Sequence, residues 1–205
     1  MILVAVRRTV SVLCVAALVM LSAQTAWSSN TPVAGAFHGC ATAGKPAQNT
    51  NKLKNRATQV ASPNASSIPE LTSLPTTGPK VAQLAAEGVR VEGYLAMRVQ
   101  ERKESCNCGD PTLHDFHIWM VDQSGQARAS AAVVEMTPRW RAANPGWTLS
   151  ALQHLINQKS RVRVTGWRYL DPNHQDQVGH TRASRWEIHP ITKIEVANAG
   201  GWTEL

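Results

Sequence analysis

The clearest signal in the chain is an alternation of apolar and polar side chains that begins near residue 81. A two-residue period is typical of strands that bury one face. The alternation recurs in five runs, at 89–95, 116–120, 132–136, 162–167 and 186–196, the last interrupted at Pro190. Between the third and fourth runs, four apolar residues repeat at helical spacing behind Thr148, a favourable N-cap residue. The pattern predicts three strands, one helix and two strands.

Residues 29–80 carry no such period. The segment is rich in Asn, Thr, Pro, Ala, Ser and Gly. Stretches such as 48–51 and 62–67 hold too little apolar surface to offset the entropy lost on ordering. We expect a flexible low-complexity tether here, with a short helix near Leu71. The ordered domain is then expected over residues 81–205.

The first 28 residues have the three parts of a secretory signal peptide. Arg7 and Arg8 supply the positive start, residues 10–21 form an apolar run, and residues 26–28 resemble a cleavage site. The run is too short to span a bilayer comfortably, and no later stretch of the sequence supplies a span. The sequence thus predicts an exported protein, periplasmic or secreted after cleavage, with no transmembrane segment in the mature chain.

Two valine alternations end at a glycine, VRVEGY at 89–94 and VRVTGW at 162–167. Small barrels need glycine where a strand bends tightly or bulges. With the order of the elements, these phrases make residues 81–197 resemble the small OB-fold domains of exported bacterial proteins. The resemblance implies a mainly β fold, a small five-stranded OB-like Greek-key barrel with its helix between strands three and four. It also implies a ligand face on the outer side of strands two and three and their flanking loops.

The second predicted strand and its neighbour hold a group of side chains suited to recognition. If the apolar residues of 116–120 point into the barrel, then Asp115, His117 and Trp119 share the outward face. Glu135 faces outward on the third strand, and Arg139 follows it, where a guanidinium could grip a phosphate or carboxylate. The alternatives are an ordinary solvent-facing strand and an ion pair between Glu135 and Arg139.

The loop at 171–185 is long for a connection between two strands, and long loops often carry function. It contains His174 and Arg182, and it leads into a strand on which Glu187 and His189 share one face. Trp167 falls on an outward position, where an indole either stacks on a base or sugar ring or packs beneath a loop. The predicted ligand-binding residues are therefore Asp115, His117, Trp119, Glu135, Arg139, Trp167, His174, Arg182, Glu187 and His189.

Three cysteines follow the leader, an odd number for an oxidising compartment. One interpretation pairs Cys40 with either Cys106 or Cys108 in a disulfide and leaves one thiol free. The competing interpretation is a metal site made of Cys106, Cys108, His114 and His117, since thiolates and imidazoles bind zinc or copper. Their spacing is not that of a familiar zinc motif, so a divalent metal cofactor is allowed but not favoured.

The net charge of the chain and the lack of common catalytic motifs narrow the range of functions that the sequence supports. The chain has 21 basic and 14 acidic residues, a net charge of +7, and removal of Arg7 and Arg8 leaves 19 against 14, or +5. Such mild positive charge assists binding to anionic partners. The sequence contains no Gly-x-Ser-x-Gly, phosphate-loop or His-Glu-x-x-His motif, which weakens an enzyme hypothesis. We expect a binding module for an oligomeric or anionic ligand: a nucleic acid, a polysaccharide or a peptide.

Two other functions stay open at this point. A metal-assisted hydrolase, such as a phosphodiesterase or nuclease, would use Asp115, Glu135 and His117 to hold a metal or activate water. A structural envelope protein would use its barrel only to contact partners.

Overall fold

The computed structural model describes residues 30–32 and 34–205, and the predicted signal peptide lies outside these residues. The described chain is mainly β, as the sequence predicts. Its strands are β1 (Asn64–Ser66), β2 (Gly88–Lys103), β3 (His114–Val121), β4 (Ala132–Met136), β5 (Arg161–Leu170), β6 (Trp186–Asn198) and β7 (Gly201–Glu204). Its helices are α1 (Asn49–Lys54), α2 (Ile68–Thr72), α3 (Val81–Ala85), α4 (Pro138–Ala143) and α5 (Leu149–Asn157). Single turns of 3-10 helix lie at Ser105–Asn107, Arg128–Ser130 and Gln175–Gln177.

Five of the strands form a closed circuit. β2 pairs antiparallel with both β3 and β5, β3 pairs antiparallel with β4, β4 runs parallel to β6, and β6 pairs antiparallel with β5. β1 adds to β2 and β7 to β6 outside this circuit. These five strands are the predicted ones, and α5 lies between the third and fourth of them with Thr148 as its N-cap, as predicted.

The last strand differs from its prediction at one point. The sequence predicts an interruption at Pro190, but β6 continues through it. The register between β5 and β6 shifts between Gly166 and Arg168, opposite Pro190. Proline is tolerated at such an irregularity because its missing N–H removes no regular ladder hydrogen bond.

The inner side of the circuit holds the apolar core. The inward positions of the alternation are buried as predicted, and Leu152 and Leu155 of α5 join them. Gly93 and Gly166 lie where neighbouring strands come closest. A Cβ on Gly93 would collide with the carbonyl oxygen of Val121, and one on Gly166 would collide with that of Pro190. The glycines that end the valine alternations are therefore required by close backbone approach.

The segment expected to be a flexible tether is packed in the structure. α2 begins with a capping box, in which Ser67 Oγ accepts from the Glu70 N–H and the Glu70 carboxylate accepts from the Ser67 N–H. Ile68 and Leu71 lie in the apolar core inside the strand circuit. A few apolar residues suffice here because they extend an existing core and need not build their own. The helix predicted near Leu71 is present, whereas the prediction that this segment is a flexible tether is wrong.

No helix in the described part of the chain combines the length and the apolar character that crossing a membrane requires.

Replacing Leu71, whose side chain is 0% exposed, by Ala is expected to lower the free energy of unfolding by about 2–5 kcal/mol, because it leaves a cavity in the core. The control is Leu53→Ala at a 38% exposed position. This replacement is expected to change the free energy of unfolding by less than about 0.5 kcal/mol. Urea unfolding followed by tryptophan fluorescence measures both. Equally small effects would show that the segment around Leu71 does not pack on the barrel.

Candidate functional site

The outer face of β3, β4 and β6 carries the polar side chains that the alternation predicts there. Asp115 and His117 lie on β3, Glu135 on β4, and Glu187 and His189 on β6. Because β4 lies between β3 and β6, the sheet brings these residues from distant parts of the sequence into one patch. All five are buried, and the most exposed, His117, reaches only 9%. The expectation that they form an open ligand strip is therefore wrong.

The patch is buried by residues 34–60, which we call the N-terminal cover, together with the turn that follows β2. Cys40 forms a disulfide with Cys108, one of the two pairings that the sequence allows, and Cys106 keeps a buried free thiol. Asn55 Nδ2 donates to two carbonyl oxygens, that of Cys106 at 2.7 Å among them. The cover is thus fastened to the turn by one covalent bond and by buried hydrogen bonds.

His117 bridges two carboxylates. Its Nδ1 lies 2.9 Å from Glu135 Oε1 and its Nε2 lies 3.3 Å from Glu104 Oε1. Burial favours the neutral imidazole, but the carboxylates outweigh burial and raise the pKa of His117 to about 10. Lys54 Nζ, 2.9 Å from Glu104 Oε2, adds a second cation, whose pKa Glu135 and Glu104 raise against the effect of burial. The two carboxylates therefore favour the charged form of His117 at neutral pH.

His189 occupies a second bridging position. Its Nδ1 lies 2.9 Å from Glu135 Oε2 and 3.8 Å from Glu187 Oε2, and its Nε2 lies 3.3 Å from Asp115 Oδ2. Burial opposes the charged imidazole, but Glu135 and the other carboxylates raise the pKa of His189 well above its usual value. Burial also opposes charge on Glu135, yet the two imidazoles hold its pKa well below the usual range. Burial and the Glu135 charge raise the pKa of Glu187.

Arg182 ties the loop at 171–185 to this patch. Its Nη1 lies 2.6 Å from Glu187 Oε1 and 3.2 Å from Asp171 Oδ2. Asp171 Oδ2 also lies 2.5 Å from His174 Nδ1, whose side chain is partly exposed. We call the connected side chains the charge network: Lys54, Glu104, Asp115, His117, Glu135, Asp171, His174, Arg182, Glu187 and His189. Seven of the ten predicted ligand-binding residues belong to it.

The other three predicted residues lie outside the charge network. The Trp119 ring is covered by the Arg128 guanidinium, 3.8 Å from its centroid, so its face is not free for stacking. Arg139 donates from Nη1 to the Gly35 carbonyl at 2.7 Å. Trp167 Nε1 donates to the carbonyl of Thr58 at 2.9 Å. Arg139 and Trp167 thus contact the N-terminal cover, and their assignment to ligand binding stays a prediction.

The metal set proposed from the sequence does not form. Cys108 is in the disulfide, so it offers no thiolate for a set made with Cys106, His114 and His117. His117 has both ring nitrogens beside carboxylates instead. Cys106 lies near Asp115 and His189 instead, with its Sγ 3.6 Å from Asp115 Oδ2.

A cleft of about 280 Å³ reaches the charge network between the end of β2, β3 and the loop at 171–185. Six basic side chains line it, with Glu104 as the acid: Arg102, Lys103, His117, Arg128, His174 and Arg182. Burial and the charges of Arg102 and Arg182 lower the pKa of Arg128, because these like charges repel one another. A concave site with convergent cations suits a phosphate, sulfate or carboxylate group.

Sequence reasoning missed Arg102 and Lys103 in the cleft because β2 is longer than predicted, and it missed Arg128 because that residue lies in a 3-10 turn between the second and third predicted strands. A register shift between Ala96 and Gln100 separates the two halves of the strand. Beyond it, Gln100 pairs with His117 and Arg102 with Asp115, which places both on the outer face. A weak sign was available, since the buried Val99 stands between polar residues and continues the alternation past residue 95.

Comparison with protein-family models, curated proteins and solved structures gives no match to this chain.

Replacing Arg182 by Met is expected to lower the free energy of unfolding by about 3–5 kcal/mol, because it leaves two buried carboxylates without their guanidinium. The control is Arg161→Met, which breaks a surface pair with Glu92 and is expected to cost about 1 kcal/mol or less. Urea unfolding of both variants at neutral pH measures the difference. Similar small losses would mean that the buried pair contributes no more than the surface pair.

Proposed function

We propose that this chain is an exported, OB-like binding module that holds an anionic group of its ligand in the basic cleft. The strand circuit and the position of α5 support the OB-like assignment, since an OB-fold is a five-stranded Greek-key barrel that binds oligomers on its outer face. The leader-like residues 1–28 and the Cys40–Cys108 disulfide support export, because disulfides persist in oxidising compartments.

The observation that carries the proposal is the charge of the cleft. Arg102, Lys103 and Arg128 line its walls, and Arg182 and His117 lie deeper. Guanidinium groups bind the oxygens of phosphate, sulfate and carboxylate in bidentate fashion. An anion in the cleft would also relieve the repulsion among the arginines. The cleft's volume of about 280 Å³ suits one anionic unit of a larger ligand.

The cleft favours recognition by charge over recognition by stacking. Arg128 covers the face of Trp119, so no base or sugar ring can stack there without displacing the guanidinium. An oligonucleotide or an anionic polysaccharide presents the required groups along its length. A neutral polysaccharide, or a peptide without acidic side chains, does not.

Binding without catalysis agrees best with the site. The hydrolase hypothesis needs Asp115, His117 and Glu135 to reach a metal or a water at the substrate. Asp115 and Glu135 are completely buried, and His117 is held as a cation between two carboxylates. None of the three is placed to take a proton from a water in the cleft.

Arg128→Ala and Lys103→Ala are each expected to weaken binding of an anionic oligomer about tenfold, the effect of losing one charge-assisted hydrogen bond. Binding is measured by fluorescence anisotropy with a single-stranded oligothymidylate, a sulfated oligosaccharide and a neutral oligosaccharide. Added salt should weaken binding more steeply for the unmodified protein than for the variants.

The matched control is Arg161→Ala, which removes the same charge outside the cleft and should change affinity by less than about twofold. The two anionic probes distinguish a nucleic-acid partner from a polysaccharide partner. The proposal fails if neither anionic probe binds, if the neutral probe binds equally well, or if Arg161→Ala is as damaging as Arg128→Ala.

A further inference from the structure

A second group of buried side chains meets at the Nε2 edge of the His189 ring, which faces away from Glu135. It brings sulfur, oxygen and nitrogen donors together. Cys106, Asp115 and His189 each offer one ligand atom, and these atoms lie within 4.8 Å of one another. Asp115 Oδ2 lies 3.6 Å from Cys106 Sγ and 3.3 Å from His189 Nε2. All three residues are buried, none more than 2% exposed.

The two separations measured from Asp115 Oδ2 match the edges of a tetrahedral coordination site. An ion placed about 2.3 Å from sulfur and about 2.0–2.1 Å from nitrogen and oxygen sets neighbouring donors about 3.3–3.6 Å apart. Thiolate, imidazole and carboxylate are the three ligand types that Zn²⁺ takes in proteins. We propose that Cys106, Asp115 and His189 bind a zinc-type divalent ion beneath the N-terminal cover.

Neighbouring polar groups surround two of the ligands as an outer shell does in metal sites. His189 Nδ1 lies at the ion-pair distance of 2.9 Å from Glu135 Oε2, on the ring edge away from Asp115. Asp115 Oδ1 accepts a hydrogen bond from Asn107 Nδ2 at 2.7 Å, which leaves Oδ2 for the ion. Within the described residues, neither ring nitrogen of the buried His189 makes a hydrogen bond of good geometry. A bond from Nε2 to a metal ion would give that nitrogen a partner.

Charge balance permits a divalent ion to replace one proton on each of two ligands. Binding of a divalent cation displaces one proton from Cys106 Sγ and one from His189 Nε2, so the net charge of the buried patch is unchanged. No lysine or arginine within the described chain lies at ion-pair distance from Asp115. A neighbouring set, Glu135 with Glu187 and His189, fits less well. Arg182 already pairs with Glu187, and His117 already pairs with Glu135.

The site differs from the cleft in place and in role. It joins the turn that carries Cys106 to β3 and β6, so the ion would stabilise the closed arrangement of cover and barrel. It does not depend on the proposed binding function, and a metal-free protein could still bind an anion in the cleft.

The test uses the exported, oxidised protein, purified without chelators or a metal-binding tag. Elemental analysis is expected to find about one equivalent of zinc. Replacement by Co²⁺ is expected to produce a thiolate-to-cobalt charge-transfer band, a signature that a carboxylate or imidazole site lacks. Added Zn²⁺ should raise the melting temperature of the metal-free protein, because the ion binds the folded state.

Cys106→Ser keeps the size of the side chain and should abolish the charge-transfer band. Asn107→Ala, which alters only the outer shell, should weaken Zn²⁺ binding about 10- to 100-fold. His180→Ala, at an exposed loop histidine, is the control and should change neither readout. No bound metal in the presence of excess Zn²⁺, or a band that persists in Cys106→Ser, would overturn the assignment.

Discussion

The ion pairs that Glu135 makes with two buried histidines are the interaction on which the rest of the structure depends. One carboxylate oxygen faces His117 and the other faces His189, so a single side chain of β4 joins β3 to β6. A buried carboxylate deprived of such partners costs several kcal/mol. The strands must therefore keep the register that brings the three side chains together, and the outer face of the barrel becomes as constrained as its apolar interior.

The enclosure of these charges explains how the remaining chain is used. The N-terminal cover keeps water away from the charge network, and the Cys40–Cys108 disulfide and the Asn55 hydrogen bonds hold the cover in place. The side bordered by β2 and the loop at 171–185 opens into the cleft, and there the basic side chains collect. The candidate ligand site is thus a small charged cleft and not a broad strip across the strands.

Much of the fold could be predicted from local pattern. Alternation located all five barrel strands, the Thr148 cap located α5, and the outward positions of Asp115, His117, Glu135, Glu187 and His189 followed from the period of two. Their burial could not be predicted, because the residues that cover them have a composition typical of disorder. Arg102 and Lys103 were missed because the alternation marks the part of β2 beyond Ala96 only weakly, and Arg128 was missed because it lies in a turn outside the predicted strands.

By itself the sequence determined where the five strands of the circuit lie and which side of each strand their predicted residues occupy, because both depend on chain-local periodicity. It also limited Cys40 to two disulfide partners. Only the tertiary structure decided that Cys108 is the partner, that Ile68 and Leu71 complete the core, and that acids and histidines from three strands share one dry patch. These outcomes depend on contacts between residues far apart in the chain, which no local pattern records.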